Sequence, residues 1–236
     1  DENEYIIAIQ ENDYYRILLT DSRILIFEED ELYVSYPLED IIGEESTSNA
    51  TILLEEDEYL YIGTDKLHIM DLYTDEIREY KFSTDGLNSL MEGDINNFSL
   101  LIDEEFNKEL WVSLNTGISI LDVENESFDN YKFNPRSKNK LPNGFSSVLK
   151  LPNEEILVSN GNTGLYRYSK DLDLVKHYIF DINDKTSITS SSISSLIDYN
   201  DEIYVGTNGD GIFIYQNDSI GFKNFTTVNG LLSNNI

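Results

Sequence analysis

The stretch DEIYVGTNGDGIFIY, Asp201 to Tyr215, decides the fold. A short apolar run leads into a polar turn and out into a second, alternating run. Asn208, Gly209, Asp210 and Gly211 tolerate the positive φ angles that reversal of two strands requires, so the stretch reads as a β-hairpin. The pattern recurs upstream as ILLTDSRILIF from Ile17, LYIGTDKLHIM from Leu60, LWVSLNTGISIL from Leu110 and ILVSNGNTGLYRY from Ile156.

Spacing turns five hairpins into an architecture. The middle residue of each first apolar run, taken as Leu18, Tyr61, Trp111, Leu157 and Tyr204, recurs at intervals of 43, 50, 46 and 47. An aromatic near the end of each unit, Tyr36, Tyr80, Tyr131, Tyr178 and Phe225, recurs at 44, 51, 47 and 47. The series move together, so the longer second step is an insertion in a connection. A strand-only repeat of this length is the signature of β-propeller blades.

Four strands, A to D, are read in each unit. In the last they are Ile193 to Ile197, Glu202 to Gly206, Gly211 to Tyr215 and Gly221 to Thr226; in the first, Tyr5 to Gln10, Tyr15 to Leu19, Arg23 to Phe27 and Leu32 to Tyr36. Frequent turns and β-branched and aromatic runs exclude long helices. The expected fold is all-β: four-stranded antiparallel blades at about 1–44, 45–94, 95–144, 145–190 and 191–235, with Ile236 beginning the next repeat. The five form part of a larger ring of about seven, or alternatively a five-bladed ring. A meander cannot cover both of its faces, so neighbouring blades must cover each other, with aromatics of strands B and D between them. Two longer linkers, Ser83 to Asp94 and Asn134 to Gly144, read as surface loops or as ligand-contacting loops.

The 236 residues carry 45 Asp and Glu against 16 Lys and Arg, a formal net charge of −29 that argues against nucleic-acid and anionic-membrane partners. Acid is spread along the chain, as on a solvated surface; attraction of cations or of a basic partner is the alternative. The absence of cysteine excludes disulfides and thiolate chemistry. The start, DENEYIIAIQ, has no signal-peptide character, and no apolar run is long enough to span a bilayer. The non-methionine start and the closing GLLSNNI read as the edges of a piece of a longer protein.

These units resemble the two-component regulator propeller family. The residues that carry the resemblance are TVNGLLSNNI (Thr227 to Ile236), TDGLNS (Thr84 to Ser89) and LPNGFSS (Leu141 to Ser147) before inner strands. YIGT (Tyr61 to Thr64), WVSL (Trp111 to Leu114) and YVGT (Tyr204 to Thr207) carry it in second strands, and GISILD, GLYRYS and GIFIYQ in third strands. Only the second and fifth units keep the glycine-threonine pair, and only one keeps tryptophan. The resemblance implies an extracytoplasmic sensor, periplasmic or at the cell surface. It would be followed by a β-sandwich, tethered by a membrane helix outside this segment, and joined to a signalling module such as a histidine kinase.

In such blades the B-to-C and D-to-A connections share one face. That face would present Asp21, Asp65, Asn115, Thr116, Asn160, Asn162, Asn208 and Asp210, short polar side chains suited to a small polar ligand or oligosaccharide. Turn geometry alone also accounts for these residue types. The A-to-B turns on the opposite face all carry acid: Glu11 to Asp13, Glu55 to Glu58, Asp103 to Glu105, Asn153 to Glu155 and Asp198 to Glu202. They read as solvated turns, or as a surface for a cation or basic partner.

The two histidines, His68 and His177, read as packing or edge residues, and no nucleophile, phosphate-loop or zinc motif is present. No catalytic residue, metal ligand or cofactor is expected. The expected partners are a small polar ligand or oligosaccharide and a neighbouring domain of the same chain, with a dimer in the parent protein and no nucleic acid or direct membrane contact. A protein-interaction scaffold and a lyase-like propeller enzyme are the alternatives.

Overall fold

The computed structural model describes residues 4–43, 50–55, 59–84, 88–103, 105–134, 136, 141–184, 187–200 and 202–236. Parts of both longer linkers, and 56–58, 104 and 201 of the acidic turns, lie outside the described residues.

Alternation of apolar and polar side chains, broken by tight turns, yields five four-stranded antiparallel sheets, each in simple meander order. The first comprises β1 (Ile6–Glu11), β2 (Tyr15–Thr20), β3 (Arg23–Glu28) and β4 (Glu31–Pro37). The second comprises β5 (Thr51–Leu54), β6 (Tyr59–Gly63), β7 (Leu67–Asp71) and β8 (Ile77–Tyr80). The third comprises β9 (Ile95–Ile102), β10 (Lys108–Leu114), β11 (Gly117–Asp122) and β12 (Ser127–Lys132). The fourth comprises β13 (Ser147–Lys150), β14 (Ile156–Asn160), β15 (Gly164–Tyr168) and β16 (Leu174–Tyr178). The fifth comprises β17 (Ile193–Tyr199), β18 (Glu202–Thr207), β19 (Ile212–Asn217) and β20 (Gly221–Phe225). The one α-helix among the described residues, α1 (Leu38–Ile42), buries Leu38, Ile41 and Ile42 and ends at Gly43 with φ 80°.

The chain divides into two compact units, 1–132 with three sheets and 133–236 with two. Within the first, Ile17, Leu19, Ile24 and Ile26 meet Ile52, Leu60, Ile62 and Met70. The other face of the second sheet, with Tyr61, Leu67 and Ile69, meets Ile95, Phe98, Leu110 and Val112 of the third. In the second unit Leu157, Leu165 and Tyr178 pack against Ile193, Leu196, Val205 and Phe213. Strands covered on both faces lose the in/out alternation, as in β6, where Leu60 to Gly63 are all buried.

Parity moves one sequence landmark. Ile17 faces the second sheet as Tyr61 faces the third, whereas Leu18 is only half-buried. Ile17, not Leu18, is therefore the counterpart of Tyr61, at 44 residues, the same step that separates Tyr36 from Tyr80. In ILLT neighbouring positions are equally apolar, and a one-residue slip in a strand exchanges its faces.

The glycine-threonine pairs mark where the next inner strand is laid down. A Cβ on Gly63 would lie 2.6 Å from Ile95 Cγ2 and 2.7 Å from Phe98 Cζ, and Ile95 N–H donates to Thr64 O at 2.6 Å. At the fifth sheet a Cβ on Gly206 would meet Ser195 Oγ of its own sheet and lie 3.1 Å from Ile236 Cγ2, and Ile236 N–H again donates to the threonine carbonyl, Thr207 O, at 3.1 Å.

Within each unit, adjacent sheets are also latched at their outer strands. Tyr36 Oη donates to Asp75 at 2.5 Å. Arg78 donates to Glu126 at 2.8 Å, and Tyr80 bonds the same carboxylate. Tyr178 at 2.7 Å, Arg167 at 2.7 Å and Lys176 at 3.2 Å all donate to Asp218. In each latch the strand-D tyrosine of one sheet meets an acid in the C-to-D turn of the next. Partial burial pushes the Asp218 carboxyl up, but bonds from Tyr178, Arg167, Lys176 and Tyr215 outweigh it and hold the group well below the usual range. Hydrogen bonds from Arg78 and Tyr80 likewise lower Glu126.

Replacing Asp218 by Asn should lower stability at pH 7 by about 1–2 kcal/mol, a figure discounted for solvent screening of a half-exposed carboxylate. A folded-state pKa below the unfolded one gives stability that is present above about pH 4 and lost as pH falls through the folded value. The Tm gap between wild type and Asp218→Asn should therefore close on acidification; a pH-independent gap would exclude the ionised latch as its source. Gly63→Ala should cost about 1–3 kcal/mol in urea unfolding, because the added methyl displaces Ile95 and Phe98.

Candidate functional site

The eight polar residues expected to face a ligand all lie at the B-to-C ends of their sheets, but they do different work. A hydroxyl or amide at the end of strand B shapes the turn in four of the five sheets. Thr20 Oγ1 accepts from Arg23 N–H at 2.9 Å, Thr64 Oγ1 from Lys66 N–H at 3.3 Å, and Thr207 Oγ1 from Asp210 N–H at 3.2 Å. Asn160 Oδ1 does the same for Asn162 N–H at 3.1 Å. This explains the threonine of the glycine-threonine pair: glycine admits the neighbouring strand and threonine closes the turn.

Several candidates also hold the segment that leads into the innermost strand of their own sheet. Asp21 accepts from Tyr5 N–H at 3.3 Å and returns its own N–H to Tyr5 O at 3.1 Å. Asn115 accepts from Asp94 N–H at 3.2 Å and donates to Asp94 Oδ2 at 3.0 Å, while Thr116 donates to Glu92 O at 2.5 Å. Asn160 Nδ2 donates to Gly144 O at 3.1 Å and Asn143 O at 3.3 Å. Asn208 N–H donates to Ser192 O at 3.0 Å, with its amide 3.4 Å from Ser192 Oγ.

Asp65, Asn162 and Asp210 are exposed and less committed. Asp65 accepts one bond, from the Thr64 hydroxyl at 3.1 Å. Among the described residues the side chains of Asn162 and Asp210 have no hydrogen-bond partner. In the second unit the turns carrying Asn160 and Asn162 and those carrying Asn208 and Asp210 are joined: Gly164 N–H donates to Ser191 O at 3.0 Å, beside the Ser192 held by Asn208. Asn115 and Thr116 share one turn of the first unit, while Asp21 and Asp65 stand on separate turns.

The acidic turns at the opposite ends are partly neutralised from within. Glu55 is only 5% exposed, ion-paired with Lys108 and accepting from Tyr61 Oη at 2.5 Å, so it is no part of a solvent-facing set of charges. Glu202 accepts from Tyr204 at 2.8 Å, Glu155 from Asn153 at 2.9 Å, and Glu11 pairs with Arg16 at 2.8 Å. Among the described residues no three His, Asp or Glu side chains converge as a metal site requires. His68 is buried, and burial lowers its pKa against the pull of Glu79. His177 stacks on Tyr166 at 3.9 Å and bonds Thr163 O at 2.6 Å.

One cavity carries no signal in the sequence. Between the first two sheets lies a pocket of about 340 Å³ lined by Tyr15, Ile26, Tyr33, Val34, Tyr36, Leu72, Tyr73 and Asp75. Only Tyr36 stood out in the sequence, as a spacing landmark. Tyr33 reaches the pocket at a register shift in which Ile26 pairs with Val34 and Phe27 with Leu32, a bulge with no sequence signature.

No family model and no curated protein matches this chain. Solved structures do match. The extracellular domain of BT3049 from B. thetaiotaomicron, described as a hybrid two component system, is similar over 93% of this chain at TM-score 0.71 and 16% identity. That of BT4673 from the same organism, also so described, is similar over 98% at TM-score 0.66 and 20% identity. The fold is a β-propeller. This chain spans 29% of the length of each of those two domains. Virginiamycin B lyase from Staphylococcus aureus is similar over 94% of this chain and 73% of its own length, at TM-score 0.62 and 11% identity. Among the described residues no helix is long and apolar enough to cross a membrane.

Stability should separate the two kinds of turn residue. Asn115→Ala and Asn160→Ala should each cost about 1–2 kcal/mol in chemical denaturation by stranding the groups they hold. Asn162→Ala and Asp210→Ala should stay within about 0.5 kcal/mol of wild type.

Proposed function

We propose that this chain is a ligand-sensing segment of an extracytoplasmic β-propeller, within a membrane-tethered regulator of two-component type. The observation that carries the reading is the likeness to extracellular domains of such regulators over 93% and 98% of the chain, joined to the repeat motifs. The ligand class is a small hydroxyl-rich molecule such as an oligosaccharide. It would be met by the B-to-C turns, where Asp65, Asn162 and Asp210 keep hydrogen-bonding capacity on turns stiffened by their neighbours. Binding would act by favouring one arrangement of this propeller against the domain that follows it, since a ligand shifts an equilibrium only by its differential affinity for the two states.

The segment is read as non-catalytic. His68 and His177, the only imidazoles, are committed to packing and to a backbone carbonyl. Likeness to a lyase at 11% identity supports the fold and carries no chemistry.

A glycan array followed by calorimetry tests the reading. The expected outcome is saturable binding of an oligosaccharide without turnover, weakened at least about 10-fold by Asn162→Ala with Asp210→Ala and unchanged by Glu202→Gln at the other end of the sheet. Cleaved or unsaturated product would favour the enzyme. Absence of glycan binding together with capture of a basic protein would favour the scaffold.

A further inference from the structure

The latches between sheets differ in one component. In the second sheet the Arg78 guanidinium lies 5.5 Å from the centre of the Tyr59 ring while bonding Glu126 at 2.8 Å. In the fourth, Lys176 Nζ lies 4.8 Å and the Arg167 guanidinium 5.9 Å from the centre of the Tyr178 ring, and both cations bond Asp218. Both sheets thus hold a cation between a tyrosine ring and a carboxylate, the ring being strand-B Tyr59 in the second and the latch Tyr178 in the fourth.

Among the described residues, the first sheet has the tyrosine and the acid of this set and no Lys or Arg in the register position of the cation. Arg78 pairs with Ile69 across the strands and Lys176 with Arg167, each two residues before the latch tyrosine. The residue in that register position of the first sheet is Val34, paired with Ile26 two residues before Tyr36. Tyr15 stands where Tyr59 stands, two residues ahead of the matched pair Ile17 and Tyr61. Tyr36 donates to Asp75 at 2.5 Å, so the tyrosine and the acid are in place.

The space left is the 340 Å³ pocket, to which Tyr33 and Tyr73 add two further rings, and none of its lining residues is basic. Glu28, Glu29, Asp30 and Glu31 lie at the turn between β3 and β4, and Arg16 is committed to Glu11 and Asp30 at 2.8 and 2.5 Å. Ile26, Val34 and Leu72 supply an apolar lining for a short alkyl stem.

We propose that this pocket binds a small organic cation, an alkylguanidinium or alkylammonium, whose head takes the place that Arg78 and Lys176 fill in their own sheets. The proposal is independent of the oligosaccharide reading, because it concerns other residues and a ligand of opposite chemistry.

Calorimetry with ethylguanidinium and with butylammonium tests it, against sodium chloride at equal ionic strength. The expected result is saturable binding of at least one probe at or below about 10 mM, with preference for ethylguanidinium if the fork bonds Asp75 and for butylammonium if a point charge suffices. Asp75→Asn, an exposed change, should weaken that binding at least about 10-fold. Val34→Arg should fill the site with the chain's own cation, abolish probe binding and raise Tm. No saturable binding of either probe beyond the salt control, or equal binding by Asp75→Asn, overturns the proposal even if Val34→Arg does not fold.

Discussion

A four-stranded meander presents two apolar faces and brings a lid for neither. Within each compact unit that constraint is met by making one sheet the cover of the next, which requires strict parity along strands B and C. Leu60 and Ile62 serve one interface and Tyr61 and Ile69 the other, so the second sheet is core on both sides. The close approach of Ile95 across Gly63 belongs to the same economy: the inner strand of one sheet seats on the turn of the previous one, and any side chain at Gly63 would hold it off.

The polar ends of the sheets are governed by a second demand, that no backbone group near a buried strand be left unpaired. Thr20, Thr64, Asn160 and Thr207 close turns, and Asp21, Asn115, Asn160 and Asn208 secure the segments leading into inner strands. Side chains beyond that demand, notably Asn162 and Asp210, are the ones to which the proposed recognition is assigned. The division is physical: a residue that must hold the backbone is not free to follow a ligand.

The fold was legible because repetition averages out local ambiguity: five copies of apolar run, polar turn and apolar run leave little choice of architecture. The slip from Ile17 to Leu18 shows the limit, since three apolar residues in a row carry no parity of their own. The turn candidates were legible as turn residues, but whether Asn115 reaches Asp94 depends on a partner twenty-one residues away, which turn chemistry does not specify. The tyrosine pocket was illegible for a further reason. Tyr15, Tyr33 and Tyr36 converge with Tyr73 and Asp75 only through a bulge and the stacking of two sheets, and tyrosine is common throughout this chain.

The latches run in one direction. Tyr36 gives to Asp75, Arg78 and Tyr80 to Glu126, and Tyr178 to Asp218, always from the outer strand of an earlier sheet to a turn of the later one. Such an interface is heterologous: the surface that gives and the surface that receives are different, and the second sheet carries one of each, receiving at Asp75 and giving from Arg78 and Tyr80. A sheet of this kind has no self-complementary side through which two copies could pair and stop. It extends head to tail, and a duplicated or deleted repeat would meet its new neighbour with the fitting surface already in place.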